Sequence, residues 1–194
     1  MNPHPFSASL MFAIQKGAEE IIGEEGTSEL CREAQLAPGQ ELDLAAVKTA
    51  RQAINVVYGE FGGAGLALRI GRAACQTALR EFGALNGLTA LEFRLQPSRT
   101  RLRSGLEKFA ELFSRPTELV ISAGENDQGW FWRVEGCPER AASSGEAGCS
   151  FWVGMLQEYF SWCSAGKLYR VVETECAAAG DNSCCYQIYR QPLE

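Results

Sequence analysis

The chain predicts an α+β fold in which helices fill the N-terminal half and pack on an antiparallel four-stranded sheet. Three observations carry that expectation. Apolar residues recur at helical spacing from about residue 7 to residue 113, the period shortens to strand alternation after Pro116, and two last strands flank a tight Gly180-Asp181 turn. Helices segregated on one side of an antiparallel sheet are the layer arrangement that buries both kinds of apolar face.

The elements follow in order. Residues 7–22 place Leu10, Ala13, Ile14, Ala18, Ile21 and Ile22 on one stripe, and Gly23 is expected to end it. Thr27 or Ser28 caps a short helix to Leu36, stopped by Pro38-Gly39. Asp43 caps a further segment through Tyr58, with Val47, Ala50, Ile54 and Val57 at helical spacing. Gly62-Gly63-Ala64-Gly65 reads as a flexible break before a helix that turns Leu68, Ala74, Cys75, Ala78, Leu79 and Phe82 inward. The small residues Gly71, Ala73, Ala74 and Ala78 permit close helix packing there. The glycine stretch is a poor phosphate cradle, because no strand precedes it and its spacing misses the dinucleotide fingerprint.

Residues 99–113 form a helix with Leu102, Leu106, Phe109, Ala110 and Phe113 as its core stripe. Leu119–Ile121 and Trp130–Val134 are strands joined through Gly124–Gly129 as a hairpin. Gly145–Gly148 leads into a helix over Ser150–Trp162 that Gly166 ends, and Leu168–Glu175 and Cys184–Tyr189 complete the sheet. Residues 1–60 form a helical N-terminal extension suited to dimerisation, and 61–194 form a ligand-binding domain.

Composition narrows the function. The 46% apolar and 22% charged content suits an ordinary globular chain of 194 residues. A net charge of −6 leaves no basic excess to displace phosphate counterions, which argues against general nucleic-acid binding. The short basic run of Arg94, Arg99, Arg101 and Arg103 is expected to be a solvated face. No apolar run approaches the ~20 residues that a membrane span needs, and the N-terminus lacks a basic leader, so a cytoplasmic protein is expected. In that reducing setting eight cysteines suggest metal binding or plain burial. Cys31, Cys75 and Cys163 lie in helical patterns and read as small buried thiols.

The chemistry concentrates near the C-terminus. Glu173-Thr174-Glu175-Cys176, then Gly180-Asp181, then Cys184-Cys185 set soft thiolates and a carboxylate around one turn, with Cys149 upstream. Zinc takes tetrahedral sets of thiolate, imidazole and carboxylate, so a closed site of three cysteines and a glutamate is chemically reasonable. A regular strand sends Glu173 and Cys176 to opposite faces, so a bulge or strand end is required. Cys184 and Cys185 also diverge, and only one can join. Reduced buried thiols and a Cys176–Cys184 disulfide remain the alternatives.

No catalytic set is visible. The sole histidine, His4, sits near the N-terminus, so neither a Ser–His pair nor a histidine-rich catalytic metal site can be built. No dinucleotide fingerprint supplies a hydride. What remains is aromatic: Trp130, Phe131, Trp132, Phe151, Trp152, Phe160, Trp162 and Tyr169, with Met155 among them. Alternation sends Trp130, Trp132 and Val134 to one sheet face and Phe131 to the other, and a sheet apolar on both faces is covered on both, by helices, a ligand or a partner subunit.

The Glu-x-x-Cys segment, its Gly-Asp turn, Cys184 and Tyr186 resemble the C-terminal signature of the 4-vinyl reductase domain family. The resemblance extends over about Cys137 to Pro192, including Cys149 and Gly154-Met155-Leu156-Gln157-Glu158, and more loosely to Phe93-Arg94-Leu95-Gln96-Pro97 and Gly105-Leu106. It implies a structural zinc held by Cys149, Glu173, Cys176 and Cys184. It implies a hydrophobic ligand pocket walled by Trp130, Trp132, Phe151, Trp152, Met155, Phe160 and Tyr169. The implied activity is that of a small-molecule carrier, sensor or assembly factor, its ligand a tetrapyrrole, with a part in 8-vinyl reduction of a chlorophyll precursor as the enzymatic alternative. A distant likeness to Golgi tethering subunits implies a homodimer or interaction module. Pigment-branch relatives carry a second cysteine where this chain has Arg140, which puts a ligand role for Cys137 in doubt.

Overall fold

The computed structural model describes residues 5–35, 44–114, 119–137 and 149–193. The order is α1 (Pro5–Glu33), α2 (Leu44–Phe82), α3 (Leu91–Arg94), α4 (Ser98–Glu111), β1 (Val120–Asn126), β2 (Gly129–Glu135), α5 (Ser150–Cys163), β3 (Tyr169–Glu175) and β4 (Cys184–Pro192). The strands form one antiparallel sheet in the order β1-β2-β4-β3. The α+β architecture expected from the sequence is the one observed. The caps and stops assigned to Leu36, Pro38-Gly39, Asp43, Pro116 and Gly145–Gly148 lie outside the described residues.

One helix break falls where expected and one does not. Gly23 ends the first helical limb of α1 as expected: its φ of 74° and ψ of 171° leave the helical path, and a second limb continues to Glu33. Thr27 serves this junction by donating its hydroxyl to the Gly23 carbonyl at 2.8 Å. The break expected at Gly62–Gly65 falls instead at Gly59, with φ 71° and ψ 168°, and the glycines beyond it are helical. Among the glycines from Gly59 to Gly65, only Gly59 takes the left-handed φ that glycine tolerates best. Buried Gly63 is needed for space, because a Cβ there would collide with the Asn55 side chain.

Small residues set the crossing of α2 and α5. A Cβ at Gly71 would run into the Phe151 carbonyl, and one at Gly154 into the Leu68 carbonyl, so the two backbones touch at this point. That contact seats α5 between α2 and the sheet. Trp130, Trp132, Val134, Cys184, Tyr186 and Ile188 line the helix-facing side of the sheet and are all buried. They join Phe109, Phe113, Met155, Tyr159 and Phe160 in the main core. A smaller core links Ala18, Leu30 and Ala34 of the α1 limb to Ala53, Ile54, Leu66 and Ile70 of α2.

The opposite sheet face carries Phe131, Arg133, Cys185 and Gln187, of which Cys185 and Gln187 are buried. Phe131 is half-buried there and lies over Gly124 of its own hairpin. The hairpin is tighter than predicted, because β1 continues to Asn126, whose Oδ1 accepts the N–H groups of Gln128 and Gly129 at 3.1 and 3.0 Å.

Candidate functional site

The thiol cluster is built by three local devices. Between Glu173 and Glu175 the β3–β4 register shifts, Glu173 facing Tyr186 while Glu175 faces Cys185. This irregularity supplies the bulge needed to bring Glu173 and Cys176 to one side. Cys176 then opens a single 3-10 turn, Ala177–Ala179, closed by Gly180 at φ 108°. Asp181 locks the turn: its carboxylate accepts the Cys176 N–H at 2.7 Å, and its own N–H donates to the Cys176 carbonyl at 3.2 Å.

Cys149 enters from the residue preceding α5, where it accepts no side-chain cap. Its N–H donates to Glu173 Oε2 at 3.0 Å, and the Tyr186 hydroxyl donates to Glu173 Oε1 at 3.3 Å. Both carboxylate oxygens are thus oriented by hydrogen bonds. One ligand atom from each of Cys149, Glu173, Cys176 and Cys184 lies within 4.8 Å of the others, and the three cysteines are buried. Cys185, its side chain alternating to the other sheet face, is outside this group. None of the eight cysteines forms a disulfide among the described residues, so Cys176 and Cys184 are not bridged.

Cys184 is the electrostatic centre. Hydrogen bonds from the Cys137 and Cys149 thiols, then from the Ala177 N–H at 3.4 Å and the Cys176 thiol, outweigh burial and draw its thiol down to about 3. Donors converging on one sulfur favour the thiolate, the form that ligates metals. Cys137 was doubted from sequence, yet its buried thiol reaches Cys184. Asp181 was missed as the clamp of the turn, although the Gly-Asp pair was its visible signal. Elsewhere burial dominates: it pushes the Cys163 thiol up to about 12, and raises the Cys75 thiol and the Tyr159 and Tyr186 phenols well above their ordinary values.

The aromatic set forms a continuous layer between α5 and the sheet. Trp130 meets Phe160 at 5.2 Å and Tyr169 at 6.0 Å, Trp132 meets Trp152 at 5.8 Å, and Phe151 meets Trp152 at 5.5 Å. Met155 is fully buried among them, whereas Phe151 is half-buried and turned toward α2. Tyr159, which the sequence reading left out, stacks on Phe109 at 4.6 Å and belongs to the same layer. Each ring contact adds about 0.5–1.5 kcal/mol to the burial term. The layer holds one polar anomaly: the indole nitrogens of Trp130 and Trp132 are buried with no hydrogen-bond partner. A buried donor left unpaired costs about 1–3 kcal/mol.

No family model and no curated protein matches the chain. Solved structures match in fold. An H-NOX protein from S. oneidensis in the Fe(II)NO state aligns with a TM-score of 0.59 at 9% identity, over 96% of this chain and 99% of that one. A mutant H-NOX protein from K. algicida with unliganded Fe(II) gives 0.60 at 9% identity, over 97% of both. A third, described as modulating heme redox potential through protein-induced porphyrin distortion, gives 0.57 at 11%, over 94% of this chain and 99% of that one.

These findings correct two expectations. The assignment to the 4-vinyl reductase family is overturned, since the fold neighbours are H-NOX proteins and no family model supports it. A short motif around a tight turn reports local chemistry and does not fix the path of the whole chain. The zinc that rested on that resemblance is overturned with it, because the cofactors named for the fold's solved representatives are heme and Fe(II).

Heme itself was tested against this chain's residues. Heme iron takes an axial histidine, cysteine, methionine or tyrosine, and the macrocycle needs a slot. The described residues contain no histidine, since His4 lies outside them. The aromatic layer is filled by its own rings, and surface clefts of about 210 and 220 Å³ are too small for a macrocycle. In this conformation the residues do not fit a heme seat: any macrocycle would have to displace the rings of the layer, and heme would in addition find no imidazole among the described residues.

Proposed function

We propose that the protein is a small-molecule-binding sensor or carrier domain whose ligand enters the aromatic layer between α5 and the sheet. The observation that carries this reading is the pair of unpartnered indole N–H groups, Trp130 and Trp132, buried side by side in otherwise apolar surroundings. A flat apolar molecule with hydrogen-bond acceptors would satisfy both donors and displace rings with rings. A metal-free tetrapyrrole has those properties, through its imine nitrogens and carboxylates, and requires no axial imidazole. The fold shared with heme-containing and Fe(II)-containing H-NOX structures supports the ligand class at a distance.

Cys149, Glu173, Cys176 and Cys184 are proposed as a ligating centre for a thiophilic cation. It would pin the start of α5 to the β3–β4 turn and so hold the end wall of the aromatic layer. A second copy of the chain is proposed to pack on the N-terminal region, residues 1–60, leaving 61–194 as the ligand-binding unit. Support comes from Val56, Val57, Tyr58 and Phe61, which stay exposed beside the Gly59 kink, Phe61 at 92%. No helix among the described residues is long and apolar enough to cross a membrane.

Titration with protoporphyrin IX tests the main reading. Saturable quenching of tryptophan fluorescence is expected, with stability rising by about 2.7 kcal/mol at a hundredfold excess over the dissociation constant. Weaker binding by Trp130→Phe and Trp132→Phe, which keep the rings and lose the donors, would locate the ligand. Failure of protoporphyrin and of smaller planar acceptors to quench saturably would overturn the proposal.

A further inference from the structure

The basic segment expected to be a plain solvated face carries a second site. A cleft of about 220 Å³ opens between α3, the first turn of α4 and the end of α5, lined by Phe93, Arg94, Arg101, Trp162, Cys163 and Ala165. Phe93 and Trp162 in its lining stack on each other, their rings 16° from coplanar with centroids 6.4 Å apart, which leaves the outer part of Trp162 as the exposed flat surface. Trp162 is 37% exposed, an unusual position for a tryptophan with a flat partner already in place.

The charges at the rim are uncompensated. Arg99 is held by Glu125 at 3.1 Å. Arg101 instead donates to the Arg94 carbonyl at 2.8 Å and the Ser98 hydroxyl at 3.3 Å, and its Nε is buried with no acceptor. Neither Arg94 nor Arg101 forms an ion pair with a carboxylate among the described residues. The carboxylate of Glu158 lies in the neighbouring cleft and accepts from Gln76 at 2.8 Å. The Cys163 thiol on the cleft wall stays protonated at neutral pH, so it brings no negative charge. α4 starts with no acidic residue in its first turn and no side-chain cap, leaving N–H groups of the same sign beside Arg101. Ala165 completes the wall at φ 60°, a left-handed conformation uncommon outside glycine.

We propose that this cleft binds a small planar carboxylate, its ring against Trp162 and its carboxylate between Arg94 and Arg101. Guanidinium forks match a carboxylate in two parallel hydrogen bonds, and a flat apolar surface suits a ring. The volume admits one ring and excludes a macrocycle. The cleft borders the aromatic layer through Trp162 and Tyr159, 6.3 Å apart, but opens to the surface and takes a different ligand, so its test is independent of the layer and of the thiol cluster.

Calorimetric titration of the full chain with benzoate tests it, with benzamide and inorganic phosphate as comparisons. Benzoate is expected to bind saturably, to perturb tryptophan fluorescence and to weaken as salt rises. Benzamide and phosphate should each bind at least tenfold more weakly. Arg94→Gln, on an exposed side chain, and Arg101→Gln should each lower benzoate affinity tenfold or more with an unchanged circular dichroism spectrum, and Trp162→Leu should remove the fluorescence response. No saturable benzoate binding, equal affinity for benzamide or phosphate, or full affinity in both arginine variants would overturn the proposal.

Discussion

Cys149 Sγ lies 3.8 Å from Cys184 Sγ although 35 residues separate them in the chain. One sulfur precedes a helix and the other starts a strand, so their approach reports the docking of α5 on the sheet. Glu173 reinforces it by accepting the Cys149 N–H while facing Tyr186 across β3–β4. The cluster is a tertiary junction as much as a chemical one.

Titrating the reduced protein with Cd(II), a thiophilic probe with a sulfur charge-transfer band, should give one strong site per chain. Cys149→Ser, Cys176→Ser and Cys184→Ser should each lower affinity at least tenfold, whereas Cys185→Ser should leave it intact. Equal losses at Cys184 and Cys185 would mean the cluster is not the site.

Acid should act through Cys184. Its thiol, held at about 3 in the folded chain, lies near 8.5 when unfolded, so the folded state binds fewer protons across that window. The stabilising contribution is complete above the unfolded value and is lost as pH falls toward about 3. Metal-free protein should retain ultraviolet thiolate absorbance at about pH 5, and Cys184→Ser should abolish it. That variant should also flatten the acid dependence of the denaturation midpoint. Unchanged absorbance in Cys184→Ser would refute the assignment.

The α2–α5 crossing is sensitive to a single methyl group. Gly71→Ala and Gly154→Ala each push a Cβ into a facing carbonyl and should destabilise by about 2–3 kcal/mol. Gly65→Ala, where a Cβ meets nothing within 4 Å, should be neutral or stabilising. Thermal melts that rank the three variants otherwise would contradict the crossing.

Trp132 separates packing from polarity. Trp132→Ala should cost about 3–5 kcal/mol through lost ring contacts, whereas Trp132→Phe removes an unpaired buried donor and should cost far less. Chemical denaturation in the absence of ligand reads both. Equal penalties would show that the indole N–H has a partner in the folded protein.

Periodicity alone determined the class of most elements. The helical stripe of Leu102, Leu106, Phe109 and Phe113 and the alternation of Trp130, Trp132 and Val134 are one-dimensional records of which side faces the core, and the structure follows both. The sequence also pointed to Cys149, Glu173, Cys176 and Cys184 as a group, and to the bulge that Glu173 and Cys176 require. It placed the break at Gly23 and misplaced the second, because several glycines offered the same freedom and only packing selects which takes a positive φ: Gly59 bends the chain, while Gly63 lies against Asn55.

Long-range relations were decided by the tertiary structure alone. Cys137 reaches Cys184 because β2 and β4 are neighbours, and Arg101 meets Trp162 because the start of α4 lies beside the end of α5. The unpaired indoles of Trp130 and Trp132 arise where helix and sheet close over them. Local spacing records which face a residue occupies. What that face meets depends on how whole elements dock, and that is set by the sum of many contacts between distant parts of the chain.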